Sequence, residues 1–580
     1  MKTQPKPKDN ERVIGCIRGK AIGGTLGAPP EGRMELLDLS YYDPVPTGIL
    51  PNDDFDIQLL LLESVEGAGG RVDARILAKT WSERMMFPFD EYGVATLNLK
   101  RGLFPPVTGW FDNPFKNCMG NPIRSELWAL LAPGRPRLAA YFAMQDSMID
   151  HAEESIAGEM FFSALESMAF SGETDFTKLI ASAYEVIDSG SQTAEAVRFT
   201  LDNYTEMDWK TLRAEVLDRF GHPNFTEAPQ NIAFTLFGLL YFPDDFEKAL
   251  LCTTNCGYDT DCTAATLGAI WGIVNGDRFP DRWVTPIGDH MLASHDVYDM
   301  SMPGDLGELA DHIGQVRDLV AEHYKSVSEQ DATDWVAAQL GDLSTFKTVA
   351  DTALTLTGTP LLEETATLHA SSPLRSASVK YPFKVVVENS TVTVTQSSSD
   401  YLPASARVTL EDMDGRLHTV GLVTPHELWM ADGLNQAELL AMVESPDQTN
   451  FRPATLPHRT FFLKDMSNTP WLLLRGYVHF SAADKYSLEV FAECPVIAWL
   501  DGERIQNNPK GEPCIPAPHR LPAHRVKGVE TTPGWKRWDI LLNTHEMIRE
   551  GKVCITVAQA YTKALVDYRF RRGPSGVYNY

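Results

Sequence analysis

Two short acidic stretches hold the residues best suited to chemistry. "PNDDFDIQ" brings together Asn52, Asp53, Asp54 and Asp56, and "GYDTDC" brings together Asp259, Thr260, Asp261 and Cys262. Carboxylates, amides and hydroxyls supply the oxygen donors that a hard cation such as Mg²⁺ takes in octahedral geometry. The plain alternative is helix capping, since each stretch precedes an apolar run and an Asp N-cap stabilises a helix by about 1 kcal/mol. Residues two apart on a helix point about 200° away from each other. Asp259 and Asp261 therefore face one ion only if they straddle a loop and the first turn, with Gly257 permitting an unusual backbone ahead of them. Carboxylates gathered without a cation repel. Two such clusters make capping a less complete account, and spacing alone leaves both readings standing.

The elements that must position these residues read as helical. "DIQLLLLESVEGAG", "SIAGEMFFSALESMAF" and "HIGQVRDLVAEHYKSV" carry apolar residues at helical spacing, and "APGRPR" and "YFPDDF" are connectors. From about residue 375 the pattern changes. "FKVVVENSTVTVTQ", "YSLEVFAECPVIAWLDGERI", "WKRWDILL" and "KVCITVAQAY" are rich in β-branched and aromatic residues, and Asp501-Gly502 is a tight hairpin signal. The expected fold class is multidomain α plus β. An all-helical domain over 1–345 leads through a connecting region, 346–375, to one or two β-sandwich modules over 376–580.

With 580 residues the chain is too long for one core. Lys plus Arg is 51 against 78 for Asp plus Glu, giving a net charge of −27. That balance argues against nucleic acid as the main partner, while leaving room for a small anionic ligand in a locally positive pocket. "MKTQPKPKDNERVIG" lacks an apolar signal region, and no run of about 18 apolar residues occurs. We expect no membrane partner and a cytoplasmic location. Eight scattered cysteines without paired CxxC spacing read as free thiols, with Cys252, Cys256 and Cys262 beside the second acidic cluster.

"GYDTDC" followed by "AATLGAIWG" resembles the second metal motif of the ADP-ribosylglycohydrolase family, and "PNDDF" resembles the first. "GKAIGGTLGAPPEGR" is similar to the family's glycine-rich helix and glutamate-bearing loop. The central segment "MGNPIRSELW…SALESMAF" and "NIAFTLFGLLYFPDDFEKALLCTTNCGYDTDC" resemble its glycosidase-like branch. These stretches follow the family's order and span roughly residues 12 to 330.

The resemblance implies an all-helical catalytic domain with one or two Mg²⁺ ions at the base of a cleft. The implied metal ligands are Asn52, Asp53, Asp54, Asp259, Asp261 and Cys262. The implied catalytic residues are Glu31, Asp53, Asp54 and Asp261, and the implied substrate-binding residues are Asp150, His151, Ser155, Arg124 and Asn231. Arg124, His151 and Asn231 have ordinary structural readings as well, as hydrogen-bonding or capping residues. The chain departs from the family's ADP-ribosyl hydrolases at Asn52 and Cys262, where they carry threonine, at Phe55, and at Gly24, where aspartate is common. A thiol is a poor Mg²⁺ ligand.

The expected activity is metal-dependent hydrolysis of an O- or N-glycosidic bond of a ribosyl or other furanosyl sugar. The expected partner is a small glycoside or glycan, with a possible homo-oligomer. An ADP-ribosyl-acceptor hydrolase and a non-catalytic carbohydrate- or ADP-ribose-binding protein are the alternatives. "VIAWLDGERI" resembles the sugar-binding-like jelly rolls appended to glycoside hydrolases. Trp471, Trp499, Trp535 and Trp538 are candidate sugar platforms there, with burial in the core as the other reading. A dimerisation or lid module fits the same region.

Overall fold

The structure is a computed structural model. It describes residues 6–340 except 88, 101–102, 104, 293–296 and 298, the strands within 366–423, and residues 426–574 except 457 and 521–527. The chain forms two compact units: Met1–Phe87 with Phe104–Ala337, and Pro88–Leu103 with Ala338–Tyr580.

The first unit is helical. In chain order it contains α1 (Asp9–Gly27), α2 (Asp53–Gly67) and α3 (Ala74–Arg84), then α5 (Val107–Trp110), α6 (Ser125–Leu131), α7 (Pro136–Ser147) and α8 (Glu153–Ala169). There follow α9 (Phe176–Tyr184), α10 (Gln192–Asn203), α11 (Trp209–Phe220), α12 (Ala228–Tyr241), α13 (Phe246–Thr254), α14 (Thr260–Asn275), α15 (Asp281–Val284) and α16 (Leu306–His323). The helices read from apolar spacing correspond to α2, α8 and α16.

α1 and α14 pack antiparallel along a seam, with their backbones in close approach. Gly15, Gly19, Gly23 and Gly27 recur every fourth residue on α1 and meet Gly272, Gly268, Ala264 and Thr260 of α14. Residues four apart share one helix face. A Cβ at Gly19 would lie 1.9 Å from the Gly268 carbonyl oxygen, and one at Gly27 would lie 2.2 Å from that of Thr260. The seam thus sets the start of α14 against the end of α1, where the acidic clusters meet.

The second unit includes α4 (Asp90–Lys100) and the strands. β1 (Ala366–His369), β2 (Thr391–Thr395), β3 (Ser405–Glu411) and β4 (Leu417–Val423) form an antiparallel meander. Residues 383–390 of the expected strand pair lie outside the described residues. β5 (His426–Asp432), β6 (Arg452–Leu456), β7 (Thr460–Phe462), β8 (Trp471–Phe480) and β9 (Asp484–Ala492) follow, then β10 (Val496–Leu500), β11 (Glu503–Asn508), β12 (Val529–Thr531), β13 (Gly534–Asn543) and β14 (Lys552–Gln559). A six-stranded sheet, β11-β10-β13-β8-β5-β6, and a four-stranded sheet, β12-β9-β14-β7, enclose one core, as a sandwich does. Asp501 and Gly502 both adopt positive φ, 49° and 87°, and join β10 to β11 as the Asp-Gly signal predicts.

Trp538 is wholly buried in the sandwich core and offers no sugar platform. Trp471 and Trp499 pack against the helix Gln436–Glu444, which covers the outer face of the larger sheet, and Trp535 meets the His479 ring edge-on. Arg475, also buried, ties that helix down. It pairs with Asp539 at 2.6 Å and donates to the carbonyls of Met442, Ser445 and Asp447 at the helix end.

α4 is held by distant parts of the chain. Val94 and Leu97 pack with Ala558 and Leu565, and Arg520 pairs with Asp90 at 2.7 Å. Ending the chain at residue 345 would remove all of these partners. Truncated protein is expected to be cut by trypsin at Lys100 at least tenfold faster than the full chain, as timed gel analysis would show. Equal protection in both would mean that α4 does not depend on the sandwich.

Candidate metal centre and active site

Asp259 sits at the N-cap of α14, yet its side chain makes no capping hydrogen bond. The other aspartate N-caps among the described residues, Asp73, Asp175, Asp208, Asp245 and Asp305, all accept backbone N–H bonds from their helices. Capping therefore does not explain Asp259. In the first cluster the capping role falls to Asn52, whose Oδ1 accepts from the Asp54 N–H at 2.8 Å while its Nδ2 lies 3.5 Å from Asp261 Oδ2.

Loop geometry brings the acids together. Gly257 and Tyr258 both adopt left-handed φ, 72° and 68°. Tyr258 donates to the Arg33 carbonyl at 2.8 Å and accepts from the Gly32 N–H at 3.0 Å, which clamps the Glu31 loop to the start of α14. A Cβ at Gly257 would meet the carbonyls of Arg33 and Glu35 at 2.5 Å. Arg213 strengthens the clamp by donating to Met34 and Cys256 carbonyls, both at 2.7 Å.

Two groups of potential donor atoms result, each lying within 4.8 Å of one another: Glu31, Asp259 and Asp261, and Asp54, Asp261 and Cys262. Asp261 belongs to both. Asp53 lies close enough to act on Asp261 electrostatically. Asp54, Asp259 and Asp261 are buried and Glu31 is exposed, so the centre opens on one side.

Burial, then Glu31 and Asp53, push the Asp261 carboxyl up to about 8. Burial, with Asp261 and Glu31, likewise raises Asp259. Burial raises Asp54 against the opposing pull of Lys20, and Asp53 adds to the rise. Both Asp54 oxygens, Asp259 Oδ2 and Asp261 Oδ1 accept no hydrogen bond from a described donor. Buried carboxylate oxygens without donors are what a hard cation satisfies, so the residues fit the divalent ion that the family resemblance implies.

The remaining expected site residues belong to neither donor group. The Asn231 Oδ1 accepts from the Asp259 N–H at 3.3 Å, and its Nδ2 donates to Phe225 and Glu227 carbonyls at 2.7 and 2.9 Å. It holds the Asp259 backbone. Arg124, Asp150, His151 and Ser155 are wholly or almost wholly buried. Arg124 pairs with Asp146 and Asp150, both at 2.9 Å, and donates to Gly120 and Asn121. His151 pairs with Asp150 at 3.1 Å, and Ser155 donates to the Cys118 carbonyl at 2.5 Å. These bonds engage the guanidinium with the protein itself and make Arg124 an organiser of this buried cluster. Removing one partner of a buried ion pair costs about 3–5 kcal/mol. Arg124→Met is expected to lose roughly that much in urea unfolding, by leaving Asp146 and Asp150 unpaired, and a loss under about 1 kcal/mol would contradict it.

Lys20 and Arg213 were not among the expected site residues. Lys20 is buried on α1, 3.6 Å from Asp54 Oδ2 and 3.0 Å from Glu126 Oε2. Burial works to lower its pKa, yet Glu126 and Asp54 hold it above the ordinary value. A lysine inside the small-residue run "GCIRGKAIGG" was its signal, since such a charge is buried only when paired. Arg213 had no comparable signal, because its partners are backbone carbonyls remote in sequence.

The helical unit that carries this acidic centre is matched by one family model. The ADP-ribosylglycohydrolase family model matches residues 5–326, and the chain belongs to that family. Among solved structures the chain is similar to an ADP-ribosylglycohydrolase-related protein complex. The two share 19% identity over 54% of this chain and 98% of that one, with a TM-score of 0.37. Weaker likenesses are to the GH31 alpha-xylosidase of Xanthomonas citri, at 10% identity over 30% of this chain and 20% of that one (TM-score 0.16). A beta-glucosidase of Kluyveromyces marxianus matches at 12% identity over 45% and 33% (TM-score 0.16). No curated protein matches the chain in sequence. All eight cysteines are free and buried, and no helix among the described residues is long and apolar enough to cross a membrane.

Proposed function

We propose that the protein is a metal-dependent glycoside hydrolase acting on an O- or N-glycosidic bond of a small ribosyl or other furanosyl substrate. The observation that carries this reading is the pair of buried oxygens, Asp259 Oδ2 and Asp261 Oδ1, that accept no hydrogen bond from a described donor, beside the exposed Glu31. Glu31, Asp259 and Asp261 would hold a Mg²⁺-type ion, with Asp53 and Asp54 adjoining. Such an ion supplies charge stabilisation and orients sugar hydroxyls when bound. Glu31 lies at the open edge of the centre, where a carboxylate can take a proton from water or give one to a leaving group. Asp259 and Asp261 fix the base of the site, and Asn231 fixes Asp259.

Purified protein, with and without chelator, would be assayed against nitrophenyl furanosides, nucleosides and ADP-ribose conjugates. The expected result is hydrolysis that stops with chelator, returns with Mg²⁺ and falls at least a hundredfold in Glu31→Gln. Chelator-insensitive turnover, or full turnover by an Asp261→Ala variant, would sink the proposal. Preference for an ADP-ribosylated acceptor over simple furanosides would select the ADP-ribosyl hydrolase alternative.

A further inference from the structure

We infer that Lys20 is a positioning residue whose ammonium takes the place of a second metal ion, so that the centre holds one divalent cation at Glu31, Asp259 and Asp261. This rests on the metal-dependent reading above and adds the number of ions and the group that sets it. The two donor groups share Asp261 but differ in character. The first is all carboxylate and opens to solvent through Glu31. The second replaces one carboxylate by the Cys262 thiol, a weak donor for a hard cation.

The second group also has a resident charge. Lys20 is buried, and its Nζ reaches Asp54 Oδ2 at 3.6 Å, Glu126 Oε2 at 3.0 Å and the Ile123 carbonyl at 2.7 Å. An ion bound by Asp54 would share that carboxylate with the ammonium and be repelled by it. Lys20 cannot withdraw easily. Its neighbour Gly19 is pressed against Gly268, and the Ile123 carbonyl that holds the ammonium also accepts from Gln58 at 2.9 Å. Gln58 donates in turn to the same Glu126 oxygen, at 2.7 Å. The ammonium is therefore held in a closed polar cradle and directed at Asp54.

The test counts Mn²⁺ bound per full-length chain by equilibrium dialysis and reads the bound ions by electron paramagnetic resonance. Wild type is expected to take one ion with an uncoupled spectrum, and Lys20→Arg is expected to do the same. Lys20→Met alone leaves Glu126 and Asp54 unbalanced, so it is paired with Glu126→Gln, and folding is checked by circular dichroism. The double variant is expected to take two ions with a spin-coupled spectrum, since Asp261 would bridge them. Two ions in wild type, or one in the folded double variant, overturn the inference. No ion in wild type overturns the metal-dependent reading itself, which is a different result.

Discussion

Asp261→Asn is expected to raise the melting temperature of the metal-free protein and to abolish its stabilisation by divalent cations. In the wild type the Asp261 carboxyl stays protonated up to about 8, because burial, Glu31 and Asp53 all oppose its charge. The sign of the pH effect follows from proton counts. An aspartate in the unfolded chain titrates near its ordinary 3.8, so between that value and about 8 the folded state binds more protons than the unfolded state. Stability is then complete below the lower value and is lost as pH rises through the upper one. Each tenfold difference in proton affinity between the two states corresponds to about 1.4 kcal/mol, so near pH 8 the cost reaches a few kcal/mol. Asn carries no charge to strand there. A divalent cation reverses the cost in wild type by displacing the proton and pairing with the carboxylate, and its affinity rises with pH for the same reason. Thermal unfolding from about pH 5 to 9, in chelator or in Mg²⁺, reads all of this. A variant less stable than wild type near pH 8 in chelator, or one that responds equally to Mg²⁺, would refute the assignment.

The same carboxylates show where sequence reading stops. The spacing of Asp259 and Asp261 is compatible with a capped helix and with a metal centre. What separates the two is whether the Asp259 side chain turns back to the helix, and that is decided by the left-handed pair Gly257 and Tyr258 and by the Glu31 loop bonded to it. These partners are far apart in sequence. Local patterns were readable where their cause is local. Examples are the apolar spacing of α2, α8 and α16 and the positive φ of Asp501 and Gly502. Trp538 was also within reach, since its alternation with Ile540 and Leu542 puts all three on the inner face of β13. The covering of Trp471 and Trp499 was not, because the helix Gln436–Glu444 carries no mark of the sheet it packs on. The role of α4 was equally hidden, as its helical pattern does not say that Ala558, Leu565 and Arg520 hold it.

Gly268→Ala, outside the acidic cluster, is expected to lower both stability and Mg²⁺ affinity. Intrinsic propensity favours it, because Ala gains about 1 kcal/mol over Gly within a helix. The seam opposes it. The new Cβ would lie 2.0 Å from the Gly19 carbonyl oxygen and 2.6 Å from its carbon. These are backbone atoms, so no side-chain rotation relieves the contact and the two helices must separate. Overpacking of this kind costs roughly 3 kcal/mol, which outweighs the propensity gain. The displacement also reaches the centre. Asp261 rides on the first turn of α14, Lys20 on α1, and Asn52 packs 3.4 Å from where a Cβ on Gly24 would stand. Mg²⁺ affinity should therefore fall together with stability. Gly314→Ala supplies the control, since that glycine lies inside α16 with nothing within 4 Å of its Cβ position. It should be neutral or gain up to about 1 kcal/mol and leave Mg²⁺ affinity unchanged. Urea unfolding and Mg²⁺ titration of both variants decide the matter: equal stability of the two would show that the glycine seam does not set the distance between α1 and α14.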